Sequence, residues 1–250
     1  MQGLTTFSGP MAYRSLDKTK ILSTLERLKH RIEERFPRSG LSSLAGELEA
    51  LGRFCAGEAE ALGKPHWPIR VTAALLIISV VVISIVLLVQ PFLDETPVDF
   101  GTAADYLQAI ESAVNEAVFL GIAVWFLASL EGRAKRRRAL NAIHQLRSIA
   151  HVVDMHQLTK DPHQLLGEPM DTASSPVRTM TRDQLARYLD YCSELLSLDS
   201  KIAALFVQEL NDSHVLAAVD EVSGLTNGLS QKIWQKLTIL ETTAANAHGQ

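Results

Sequence analysis

Residues 69–90 read IRVTAALLIISVVVISIVLLVQ. Between Val71 and Val89 there is no charge, and nothing is more polar than Thr72, Ser79 and Ser84. Wound as an α-helix at about 1.5 Å per residue, Ile69 to Val89 covers about 30 Å, the thickness of a bilayer's hydrocarbon layer. A signal peptide has a shorter apolar core close to its start, whereas this run lies behind a long charged segment. The stretch predicts a helix that crosses the membrane and stays there.

Whole-chain composition alone would not say so: 250 residues that are 47% hydrophobic, with a net charge of -4, could also bury a soluble core. The placement of the 24 Lys and Arg residues is more telling. Eleven lie at or before Arg70, thirteen at or after Arg133, and none in the 62 residues between. The same gap holds a second apolar run, Ala113 to Leu130, interrupted by Asn115 and Glu116. It is followed by EGRAKRRRAL, residues 131–140, and such basic clusters remain on the cytoplasmic side. Trp67 and Arg70 flank the first span, and Arg133, Lys135, Arg136, Arg137 and Arg138 flank the second, as topology anchors against anionic lipid. The expected topology is a plasma-membrane protein with spans at 69–90 and 103–131, an external loop at 91–102 and both termini cytoplasmic.

In this topology Asp94, Glu95, Asp99, Asp105 and Glu111 make an external side that is acidic and lacks any basic residue. At about 100° per residue, Asp105, Gln108, Glu111, Ser112, Asn115 and Glu116 fall within a sector of roughly 140°. Phe119, Ile122, Ala123 and Phe126 continue that sector inward. Two readings fit. In one, Glu116 lies shallow, reaches water and hydrogen-bonds Asn115 or a serine of the other helix. In the other, copies of the second span surround an axis: Asp105, Glu111, Asn115 and Glu116 form an entry ring for cations, and Phe119, Ile122 and Phe126 form a hydrophobic constriction. Two helices cannot enclose water, so the second reading implies a homo-oligomer, with Gly121 allowing close helix contact.

The rest of the chain reads as helix, giving an all-α membrane protein with a cytoplasmic bundle built from N- and C-terminal helices. Residues 1–13 are expected to be disordered. Within 14–66, Ile21, Leu25, Leu28 and Ile32 form one apolar stripe that ends at Pro37 and Gly40. Leu41, Leu44, Leu48, Leu51, Cys55 and Leu62 follow a heptad-like, coiled-coil spacing. GKPHWP, residues 63–68, breaks the chain before the membrane. Residues 132–160 continue the second span, with Gly132 as the place for a bend and Ala139, Ile143, Leu146, Ala150 and Val153 as a packed seam. The expected rod, from Ala103 to Leu158, is about 80 Å long. Residues 161–180 form a linker. In 181–243, Thr181 and Gln184 make a capping box that opens a helix through Leu185, Leu189, Cys192, Leu196, Ile202, Phe206 and Leu210. A last helix runs from Asp212 or Ser213 to about Leu240, with GLTNG, residues 224–228, as a kink or stop.

Little catalytic chemistry is legible. His144, His151 and Asp154 lie roughly on one helix face but lack the i, i+3 or i+4 pairing of a helical metal site, so Arg147, His151 and Asp154 are expected to form a polar network instead. Cys55 and Cys192 are single thiols on apolar stripes, expected to be reduced core residues. No phosphate loop, dinucleotide fingerprint or nucleophile elbow is present, and the expectation is no enzyme, no cofactor, no metal and no nucleic acid. The plan of two spans, an acidic entry and a long inner helix is shared loosely by several oligomeric cation channels. The Trp-Asp-x-x-Glu-Pro entry of mitochondrial calcium uniporters and the Gly-Met-Asn loop of two-span magnesium transporters are absent. The leading expectation is an oligomeric cation-conducting pore or channel lined by the second span. The alternative is a membrane-anchored scaffold or sensor whose cytoplasmic helices bind a protein partner.

Overall fold

The computed structural model describes residues 15–93, 103–160 and 180–248. The expected disordered N-terminus, most of the external loop and nearly all of the linker lie outside the described residues, as does the side chain of Asp105. The described residues hold seven helices and no strand: α1 (Lys18–Arg35), α2 (Gly40–Gly63), α3 (Trp67–Leu93), α4 (Ala103–Ala128), α5 (Leu130–Leu158), α6 (Arg182–Glu209) and α7 (Ser213–His248). They divide into two compact units, one drawn from Met1–Gly63 and Arg138–Gln250, the other from Lys64–Arg137.

The first unit is a helical bundle. α1 opens on Asp17, whose carboxylate accepts the backbone N–H groups of Thr19 at 2.9 Å and Lys20 at 3.2 Å, two of the donors that a helix start leaves unpaired. Its stripe of Ile21, Leu25, Leu28 and Ile32 is buried. The helix stops at Phe36, and Arg38 turns the chain toward α2 with φ 59°. α2 buries Leu41, Leu44, Leu48, Cys55 and Leu62, the positions that its heptad-like spacing predicts, while Leu51 is half-buried. α1, α2 and α7 all pack against α6, the central helix. At Gly52 a Cβ would stand 3.0 Å from Ile202 Cδ1 and 3.3 Å from Leu25 Cδ2, so glycine lets α1, α2 and α6 meet there.

α6 starts as expected, with Thr181 and Gln184 exchanging side-chain and backbone hydrogen bonds in a capping box. The expectation of a stop at GLTNG is corrected. α7 runs through Gly224 and Gly228 to His248, eight residues past Leu240. Thr226 is buried there and its hydroxyl donates back to the Val222 carbonyl at 3.0 Å, while Leu229 is buried and Leu225 packs on the core. Packing on both sides of the two glycines offsets their helix penalty of about 1 kcal/mol each.

In the second unit α3 and α4 pack on one another. Both contain stretches long and apolar enough to cross a membrane. One, of mean hydropathy 2.7, lies in the helical stretch ending at Val86; the other, of mean hydropathy 1.5, is Ile110–Ala128. Only 6% of the first and 0% of the second is buried, the reverse of a soluble protein's core helix. The helix expected over 103–158 is interrupted at a single residue, across which the i→i−4 backbone bonds from Ser129 N–H to the Trp125 carbonyl and from Arg133 N–H to the Ser129 carbonyl continue, both at 3.1 Å. α4 ends at Ala128 and α5 opens at Leu130, so the break falls at Ser129, three residues before Gly132. Side chains take up the Phe126 carbonyl at this break: Ser129 Oγ donates to it at 2.9 Å and Arg133 Nη2 at 2.6 Å.

Candidate functional site

Two features of the second unit carry polar chemistry. The first is the α4 stripe. Leu120, Ala123, Val124 and Leu127 are the half-buried side of α4. Glu111, Asn115 and Glu116 are exposed on another side, as are Phe119, Ile122 and Phe126 below them. No described residue gives the two carboxylates or the amide a hydrogen bond. Phe126 has a second role beyond the expected constriction, because the Arg133 guanidinium stacks over its ring at 4.1 Å from the centroid. Trp125, beside it, is also exposed and was not marked by the periodicity.

The second feature is a carboxylate that the sequence pattern does not single out. Glu131 lies in the first turn of α5, beyond the apolar stretch that ends at Ala128. Its carboxylate accepts the backbone N–H of His66 at 3.0 Å, just before the start of α3, together with Arg70 Nε at 2.5 Å and Lys135 Nζ at 3.0 Å. Lys135 also donates to the Lys64 carbonyl at 2.7 Å. The first turns of α5, just after α4, are thereby tied to the beginning of α3. With three donors around it, Glu131 is held down to about 2, first by Arg70, then by the His66 N–H, then by Lys135.

The expected anchor residues thus divide. Arg70, Lys135 and Arg133 are engaged in contacts within their own unit, and Arg138 pairs with Glu58 of the bundle at 2.9 Å. Trp67 and Arg137 are exposed, and Arg136 is half-buried. Arg147, His151 and Asp154 are not drawn into one network. Arg147 reaches Glu221 on α7 at 3.1 Å, Asp154 accepts from Gln157 at 2.6 Å, and His151 is exposed. Among the described residues no three His, Cys, Asp or Glu side chains converge on a point that could hold a metal ion.

In the bundle, Cys55 and Cys192 are buried free thiols, and burial pushes both up to about 12. Asp199 of α6 is also completely buried, and among the described residues neither of its carboxyl oxygens has a hydrogen-bond partner. The register of the α6 stripe held a signal for it: Asp199 stands seven residues after Cys192 and seven before Phe206, in the seam itself. Compared with known proteins, the chain matches no family model, no curated protein and no solved structure.

Proposed function

We propose that the chain forms an oligomeric, cation-conducting pore with α4 as its lining helix and an acidic external mouth of Asp105, Glu111, Asn115 and Glu116. The supporting observation is the exposure of Glu111, Asn115 and Glu116 on a helix able to cross a membrane, away from the half-buried side of that helix. A carboxylate and an amide facing lipid at that level are costly, and copies of the same helix around a wet axis remove the cost. Phe119, Ile122 and Phe126 then narrow the path on the inner side. The basic run 133–138 orients both chain ends to the cytoplasm. A membrane-anchored scaffold is the second reading, favoured by Trp234 and Met155, which leave large apolar surfaces exposed on α7 and α5.

Mass measurement of detergent-solubilised particles, followed by planar-bilayer recording, separates the two. The pore requires four or more chains per particle and cation current that falls by at least about tenfold in a Glu111→Gln, Glu116→Gln double variant, since the acidic ring concentrates the permeant ion. Monomers or dimers without current leave the scaffold reading, and current unchanged in the double variant removes these residues from the path.

A further inference from the structure

Asp199 is the most anomalous side chain in the bundle. Leu195, Leu196, Ile202 and Ala203, three and four residues to either side, are all fully buried, so the carboxyl is at the centre of the face that α6 turns to its neighbours. Both oxygens are sealed from solvent, and no donor among the described residues reaches them. Of the helices packed on α6, α2 brings one ionisable group into electrostatic reach, the Cys55 thiol. Among the described residues α1 and α7 bring none that acts on Asp199, and no cation lies near enough to favour its charged form. An ionised carboxylate cannot be kept in such a place without a partner.

We propose that Asp199 is a proton-binding latch: the seam between α6 and its neighbours closes around the neutral acid, so acidification tightens the bundle and alkalinisation loosens it. The direction follows from linkage. Unfolded or opened, the carboxyl ionises above about pH 4; closed, burial holds its proton to a much higher pH. The closed state therefore binds one more proton across that window, and its stability falls as pH rises until the closed form ionises as well. Above that point the curve is level.

The test is hydrogen exchange of α6 amides in the full-length chain in detergent, corrected for intrinsic exchange, from pH 4 to pH 9. In the wild type the opening constant is expected to rise by up to about tenfold per pH unit before levelling. In Asp199→Asn it stays flat, the two proteins coinciding near pH 4 and the variant being better protected at neutral pH. If the asparagine amide prevents folding, Asp199→Leu keeps the seam apolar and gives the same flat profile. Infrared difference spectra add a direct reading, a protonated carboxyl band in folded wild type at neutral pH that both variants lack. Parallel pH profiles for wild type and variant, or a carboxylate already ionised in the folded wild type at neutral pH, overturn the proposal.

Discussion

Glu131→Ala is expected to destabilise the α3–α4 unit by about 2 kcal/mol at neutral pH and to leave it unchanged near pH 2. The side chain is only 14% exposed and is the common acceptor for His66, Arg70 and Lys135. A fall from 4.5 to about 2 corresponds to about 3 kcal/mol at about 1.36 kcal/mol per unit. Arg70 is itself about half exposed, and solvent screening lowers the net figure to about 2 kcal/mol. A depressed carboxyl stabilises the fold above its unfolded value, and the contribution is lost as pH falls from 4.5 toward 2. Thermal unfolding of the full chain in detergent at pH 7 and pH 3 reads this directly: the gap between wild type and variant should shrink on acidification. Equal stability at pH 7 would show that the three donors are as well satisfied by water.

A larger loss, about 4 kcal/mol, is expected for Phe206→Ala. Phe206 is the largest of the fully buried side chains and belongs to α6, the helix that α1, α2 and α7 share. Removing its ring forfeits the transfer free energy and leaves a void that three neighbours cannot all collapse into, the situation in which Phe→Ala costs 3 to 5 kcal/mol, roughly. Phe206→Leu, which keeps most of the volume, should cost about 1 kcal/mol. Denaturant titration of the two variants gives the comparison. A Phe206→Ala protein within about 1 kcal/mol of wild type would mean that α6 is not the hub of the core.

The helices were legible where burial is periodic and the ends are marked. Ile21, Leu25, Leu28 and Ile32 announce α1, the Thr181–Gln184 pair announces α6, and Ala139, Ile143, Leu146, Ala150 and Val153 are the buried seam of α5. Hydropathy likewise marked the two helices able to cross a membrane. Local rules misled at GLTNG, because glycine propensity says nothing of Leu225, Thr226 and Leu229 packing against the core. The interruption at Ser129 coincides with Arg133 folding back to a carbonyl seven residues away, a contact that no propensity encodes. Glu131 and Asp199 were passed over for opposite reasons. The first was lost among the cations of 133–138, its partners being residues 66 and 70, distant in the chain. The second occupies a seam position of α6, where an apolar stripe alone does not single out a charged residue type. The α4 stripe was visible as an angular sector, and Glu111, Asn115 and Glu116 within it are exposed.

Both native sulfhydryls are interred in the bundle with ionisation pushed to about 12, so at pH 7 almost no thiolate exists to attack a reagent. The unaltered chain is accordingly a silent background for sidedness mapping. An impermeant maleimide applied to intact cells should ignore it, should mark Pro97→Cys and should pass over Ser175→Cys. The reverse labelling pattern would invert the proposed topology and remove the proposed acidic mouth with it.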